Sequence, residues 1–230
     1  MRSSSDSSRR GSLYGPSPAP AGILVIHGGA GLDDHARAQA ARWASLGYAV
    51  HACDMFGDGV AGDRQRVMTE LTVLRDDPML LARRAGEGLS VLRSHAGPDA
   101  PLAAVGYCFG GLAALTMARQ ASPIAAAVSI HGSLGTVSPA RPGSISARQL
   151  VCHGASDPHV PFSQVSAFSD EMEAAGADWR LTMYGGAQHG FTHAHARPGD
   201  IPGVAYDEAA DQRSFADAAA FLAAAWRIPR

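Results

Sequence analysis

The feature that most limits how this chain can fold is a repeated one. Short, unbroken apolar runs each end in a glycine-rich or polar loop and give way to a stretch of helical periodicity. The runs at residues 23–26, 48–52, 102–105, 125–130, 149–152 and 180–184 are short and mostly apolar. Strands of that kind are buried on both faces, which requires a mostly parallel central sheet covered by helices on both sides. The stretches between them fit that need. Asp33 and Asp34 open a helix with Ala36, Ala40, Trp43 and Leu46 near one face. Leu81, Ala85, Leu89 and Leu92 are in register over residues 78–94, and Val165, Phe168, Met172 and Ala175 over residues 163–175. The last helix carries Phe215, Ala218, Leu222 and Trp226 on one face.

With 230 residues and 46% hydrophobic content, the pattern accounts for one α/β domain over residues 21–230, without internal repeats. Residues 1–20, rich in serine, proline and arginine, can bury little and are expected to be a flexible N-terminal segment. The twin Arg9-Arg10 is not followed by an apolar segment of signal-peptide type. No apolar run approaches the roughly 20 residues that cross a bilayer. A net charge of -2 argues against nucleic acid or an anionic membrane as partner. Cys53, Cys108 and Cys152 are odd in number and lie in or beside predicted strands, which suits reduced thiols and a cytoplasmic location. All 19 basic residues are arginine. A Walker-type phosphate loop, a pyridoxal Schiff base and a kinase site each need a lysine and are excluded in their usual forms.

Reactive side chains in parallel sheets gather where the strands end. Gly106-Tyr107-Cys108-Phe109-Gly110-Gly111 joins an apolar strand to an alanine-rich helix, with a cysteine at the apex and glycines two positions to either side. This is the G-x-S-x-G nucleophile elbow with sulfur for oxygen. The helix N-terminus behind it favours a thiolate. A thiol needs a base to take its proton, and the base needs an acid to orient it. Asp157 follows the run at 149–152 and His189 follows the run at 180–184, each in a turn or glycine-flanked loop. Nucleophile, acid, histidine is the chain order of the α/β-hydrolase layout. Oxyanion donors are expected from the backbone N–H groups of Phe109 and of Gly29, in the loop His27-Gly28-Gly29. The polar, glycine-punctuated residues 55–77 are a candidate cap over the site.

Residues 23–226 resemble the dienelactone hydrolase family, a branch of the α/β hydrolases with a cysteine nucleophile. The matching pieces are the elbow at Cys108, Asp157-Pro158-His159-Val160-Pro161, His189-Gly190-Phe191 and Tyr206-Asp207-Glu208-Ala209-Ala210-Asp211. The resemblance implies the α/β-hydrolase fold and cleavage of a small carboxylic ester or lactone through an acyl-cysteine, without metal or organic cofactor. Two positions depart from it. The family's dienelactone type carries a glutamate in the first loop where this chain has Gly28, and a carboxylate-binding arginine four residues after the histidine, here His193. Gly28, Tyr107, His193 and Phe191 are the expected substrate contacts, and Arg64, Arg66, Arg83, Arg84 and Arg197 are candidate replacements for the missing cation. The opening strand pair usual in the family is largely missing from the sequence reading.

Other readings weigh against this one. On the same triad, a thioesterase or a general small-ester carboxylesterase fits equally. A metal enzyme would draw on His189, His193 and His195, but the glycine loop makes a helical ligand pair improbable and no metal is expected. A non-catalytic small-molecule binding protein on the same fold is the remaining alternative. A monomer or weak homodimer is expected, with a small-molecule ester or lactone as its partner.

Overall fold

The computed structural model describes residues 11–226. Seven strands, β1 (Ser12–Tyr14), β2 (Gly22–Ile26), β3 (Ala49–Cys53), β4 (Leu102–Tyr107), β5 (Ala126–Ile130), β6 (Arg148–Gly154) and β7 (Trp179–Tyr184), form one sheet. Their order is β1-β3-β2-β4-β5-β6-β7. All neighbours run parallel except β1, which pairs antiparallel with β3. The described residues also form six helices: α1 (Asp34–Ala44), α2 (Arg64–Asp76), α3 (Pro78–Ala96), α4 (Phe109–Arg119), α5 (Phe162–Ala175) and, after β7, α6 (Glu208–Trp226). None of the described helices is long and apolar enough to cross a membrane.

Alternation along the strands builds two cores. Leu24 and Ile26 face one side, where α2, α3, α4 and α5 bring Leu74, Leu81, Leu92, Leu115 and Phe168. Ile23, Val25, Val105 and Val128 face the other, against Trp43 of α1 and Phe221 and Leu222 of α6. Burying one such aliphatic or phenylalanine side chain contributes about 1.5–3 kcal/mol, so either core alone outweighs any single polar contact in the molecule. α1 starts where the aspartates predict: Asp33 is its N-cap, accepting from the Ala36 N–H at 2.9 Å. The helix stops at Ala44, however, and leaves Leu46 beyond its end and 45% exposed, so Leu46 is not part of the buried face.

The N-terminal boundary needs correction. Part of the segment expected to be flexible, residues 11–20, is attached along its length. Ser12, Leu13 and Tyr14 pair with Ala52, His51 and Val50. Ser17 Oγ then donates to the His95 carbonyl at 2.7 Å, and the Ala19 N–H to the Ala96 carbonyl at 3.1 Å. β1 also supplies the opening strand that the sequence reading lacked. The rest of that expectation, residues 1–10, lies outside the described residues.

Register brings the loops together. Ile26 is level with Gly106, and Ile130 with Tyr107 and with Cys152. The residues after β2, β4, β5 and β6 therefore emerge side by side at one sheet edge.

Candidate active site

Cys108 turns the chain between β4 and α4 with φ 54° and ψ -115°. A non-glycine residue held there stores roughly 1–3 kcal/mol, which the surroundings must over-determine. They do so through the flanking glycines. A Cβ on Gly106 would stand 1.8 Å from the Gly110 oxygen, and one on Gly110 would stand 2.1 Å from the Ile26 oxygen. Only hydrogen at both positions lets α4 begin directly against β4 and β2. The Cys108 N–H donates to the Ile130 carbonyl at 3.0 Å, which ties the apex to β5.

Two further loops complete a chain of contacts. Asp157, in the turn after β6, is 6% exposed. Its Oδ1 accepts from the N–H groups of His159 at 2.8 Å and Val160 at 3.1 Å. That leaves Oδ2 for His189 Nδ1, 2.8 Å away. On the other side of the ring, His189 Nε2 lies 3.1 Å from Cys108 Sγ. The structure thus brings together the three side chains expected to work as one unit.

Electrostatics follow from this geometry. Burial works against a thiolate at Cys108. The hydrogen bond and charge of His189, with the backbone N–H groups of Gly29 and Phe109, outweigh it and hold the pKa below the ordinary thiol value. Burial also disfavours a charged His189, but hydrogen bonds to Asp157 and Cys108 prevail and raise its pKa to about 10. Both shifts favour a thiolate beside an imidazolium. Cys152 shows the opposite outcome on the same sheet. Fully buried, its thiol is pushed up to about 12 by burial, against a hydrogen bond from Tyr184. The two amides on Cys108 are the ones expected to form an oxyanion hole. Leu71 of α2, within the candidate cap, lies 3.6 Å from where a Gly29 Cβ would be.

The remaining candidates divide. Gly28 lies beside the thiol: a Cβ there would sit 3.5 Å from that of Cys108. Tyr107 is corrected to a core residue. It is 1% exposed, and its hydroxyl accepts from Trp43 Nε1 and donates to Gln39 Oε1, each at 3.1 Å. Phe191 is also fully buried, packed edge-on to His131 with ring centroids 5.0 Å apart, so it supports the site without reaching a substrate. Arg84 pairs with Glu70 and Arg66 donates to the Gly59 carbonyl at 2.9 Å, so these two cations are committed elsewhere. His193 is half-buried and stacked on His35, ring centroids 3.7 Å apart. His195 is exposed, and among the described residues no group of three or more His, Cys, Asp or Glu could hold a metal ion. A cleft of about 270 Å³ runs beside α4 from Leu112 to Thr116, with Arg75 and Ser133 on its walls; it contains no member of the Cys108 unit.

Sequence reasoning passed over a set of neighbours. Thr192 Oγ1 bridges His131 Nε2 at 2.8 Å and His35 Nε2 at 2.9 Å. His131 stands 5.6 Å from His189, ring to ring. The signal for His131 was present: it directly follows β5, as His153 falls at the end of β6. His27 was quoted only as part of a loop, yet its ring is wholly buried behind Gly28.

A profile of the dienelactone hydrolase family matches residues 10–226. The chain belongs to the dienelactone hydrolase family. Membership makes it a hydrolase of the carboxylic ester class. Solved relatives of this family member include m3DLH, 35% identical over 92% of this chain and 88% of that one, with a TM-score of 0.81. A dienelactone hydrolase-like promiscuous phosphotriesterase from metagenomic libraries is 34% identical, covering 91% and 87%, with a TM-score of 0.79. Thermogutta terrifontis esterase 2, at 20% identity over 95% and 90% and a TM-score of 0.61, shares the α/β-hydrolase fold. No curated protein sequence matches the chain.

Proposed function

We propose that this family member hydrolyses small, uncharged carboxylic esters and lactones through an acyl-cysteine intermediate. The observation that carries the reading is the unbroken line from Asp157 through His189 to Cys108, with two backbone donors on the sulfur. The Cys108 thiolate attacks the carbonyl carbon, and the oxygen takes up negative charge facing the Gly29 and Phe109 amides. His189 gives its Nε2 proton to the leaving alkoxide as the carbon–oxygen bond breaks. The ring, then neutral, takes a proton from water as that water attacks the thioester. The thiolate departs and the carboxylic acid is released. Asp157 holds Nδ1 throughout and stabilises the imidazolium.

Preference for uncharged substrates follows from His193. Burial holds its pKa below the usual histidine value, against the charge of Asp33. A neutral imidazole offers no bidentate grip on a carboxylate. One observation favours a second reading on the same thiolate, turnover of neutral phosphotriesters: the 34% identity to a phosphotriesterase.

A substrate panel with stoichiometric alkylation tests both points. Cys53 and Cys152 are buried, so iodoacetamide should modify Cys108 first. Hydrolysis of p-nitrophenyl acetate is expected to fall in step with that modification. Turnover that survives complete alkylation of Cys108 overturns the mechanism. A higher kcat/KM for an ester with a free carboxylate than for its neutral methyl ester overturns the substrate class.

A further inference from the structure

His27 closes β2 with a ring that no solvent reaches, and each ring nitrogen meets a backbone group. Nδ1 lies 2.7 Å from the Gly28 carbonyl oxygen, and the Met55 N–H donates to Nε2 at 3.0 Å. A carbonyl only accepts and an amide N–H only donates, so the ring carries its proton on Nδ1 and a lone pair on Nε2. The Gly28 carbonyl and the Gly29 N–H belong to one peptide plane, and in a trans peptide they point in opposite directions. Fixing the carbonyl on one side therefore fixes the N–H on the other, where Cys108 lies. A second donor to the same oxygen, the Gly31 N–H, is longer at 3.3 Å.

The surroundings of the ring are arranged around this orientation. Phe56 packs edge-on at 4.6 Å between centroids, and Phe109 lies at 6.4 Å. Asp54 Oδ1 is 3.7 Å from Nε2 but is occupied by the N–H groups of Phe56 and Gly57, each at 3.0 Å. Those bonds hold the start of residues 55–77, and with it the Met55 N–H that sets the ring's tautomer.

We infer that His27 is a positioning residue: its Nδ1–H holds the Gly28–Gly29 peptide so that the Gly29 N–H aims at the thiolate and then at the oxyanion. The inference rests on the acyl-transfer reading above. It assigns to His27 part of the work of a donor it does not itself supply.

The test compares side chains that differ in the donor. In H27N the amide nitrogen falls near the place of Nδ1 and still donates to Gly28; H27L and H27F do not. Folded H27L is expected to lose on the order of 10²–10³-fold in kcat, the cost of one oxyanion donor, with KM within about threefold. H27N should recover at least about tenfold of that loss. The acid limb of Cys108 alkylation by iodoacetamide should also move to higher pH in H27L, because the resting thiolate loses the same donor. F56L removes packing on the ring but no hydrogen bond and should keep kcat within about threefold. H27F serves if H27L does not fold. Equal losses in H27N and the donor-free variant, a donor-free variant near wild-type kcat, or an F56L as impaired as H27L would each overturn the inference. A wild-type protein without any ester turnover sinks the acyl-transfer reading instead. The alkylation profiles would still show whether His27 aims the Gly29 N–H.

Discussion

Four histidines of the ring-to-ring chain at the site, His189, His131, His193 and His35, are not in the same state. His189 is held protonated, with a pKa of about 10. His35 is pushed by burial, and by its coupling to the stacked His193 ring, down to about 3. His131 is driven well below the usual value by burial and by the charge of His189, and His193 is lowered too. Burial is the largest influence on all four. The difference is two acidic partners: only His189 has a carboxylate on one ring nitrogen and a thiol on the other. His35 and His131 share a hydroxyl instead, which can donate to one ring and accept from the other. Their Nδ1 atoms are buried with no hydrogen-bond partner among the described residues, so nothing on that side would stabilise a charged ring. One protonated ring beside neutral ones gives a site that moves a proton at one atom and presents an uncharged wall elsewhere.

The comparison breaks most severely at Asp157. In D157N only the Cys108 contact would oppose burial at His189, whose pKa should fall toward those of its neighbours, while the Cys108 thiol should rise. A kcat loss on the order of 10³–10⁴-fold is expected from the triad precedent, with the alkylation acid limb displaced to higher pH. An unchanged limb would show that the carboxylate does not set the difference. In the wild type that limb should lie below the ordinary thiol value of about 8.5, because protonating the thiolate requires breaking its contacts with His189, Gly29 and Phe109. On the alkaline side kcat should fall near pH 10, where His189 loses the proton it gives to the leaving group, although the thiolate persists.

His193→Arg attacks the neutral wall. A fixed cation there should shift the ratio of kcat/KM for a carboxylate-bearing ester over its neutral methyl ester upward by about 10–100-fold. No shift would mean that substrates do not pass this position. The smallest effect is expected from Thr192→Val, which removes the shared hydroxyl without changing shape. Two imidazole nitrogens then lose their partner, at a cost of about 1–2 kcal/mol and a Tm lower by about 2–6 °C. Turnover should change far less than in D157N; a comparable loss would make Thr192 part of the chemistry.

What the sequence let one read was what local pattern encodes. The parallel strands and the helices between them follow from apolar runs and helical spacing. Cys108, Asp157 and His189 follow from polar residues placed where strands stop. β1 was missed because Ser12, Leu13 and Tyr14 form no apolar run, and their pairing with β3 depends on residues some 40 positions away. Tyr107 was misread because adjacency to the nucleophile was weighed above alternation. It shares a face with Ala103 and Val105, which sends its ring into the core shared with α1 and α6. Arg84 was counted as available because its partner, Glu70, lies on the preceding helix. The histidine cluster is invisible for the same reason: Thr192 joins rings from positions 35 and 131.

The glycines around the sulfur also bear on how such a site diversifies. Gly106 and Gly110 forbid any side chain, since the obstacle is backbone. At Gly28 a Cβ would meet only ordinary contacts of 3.5 and 3.6 Å, at a backbone angle open to any residue. A library built around this thiol has a permissive door next to its nucleophile, and it opens at position 28. Selection for new substrates can act there by adding a group against the sulfur while the elbow that holds it stays invariant.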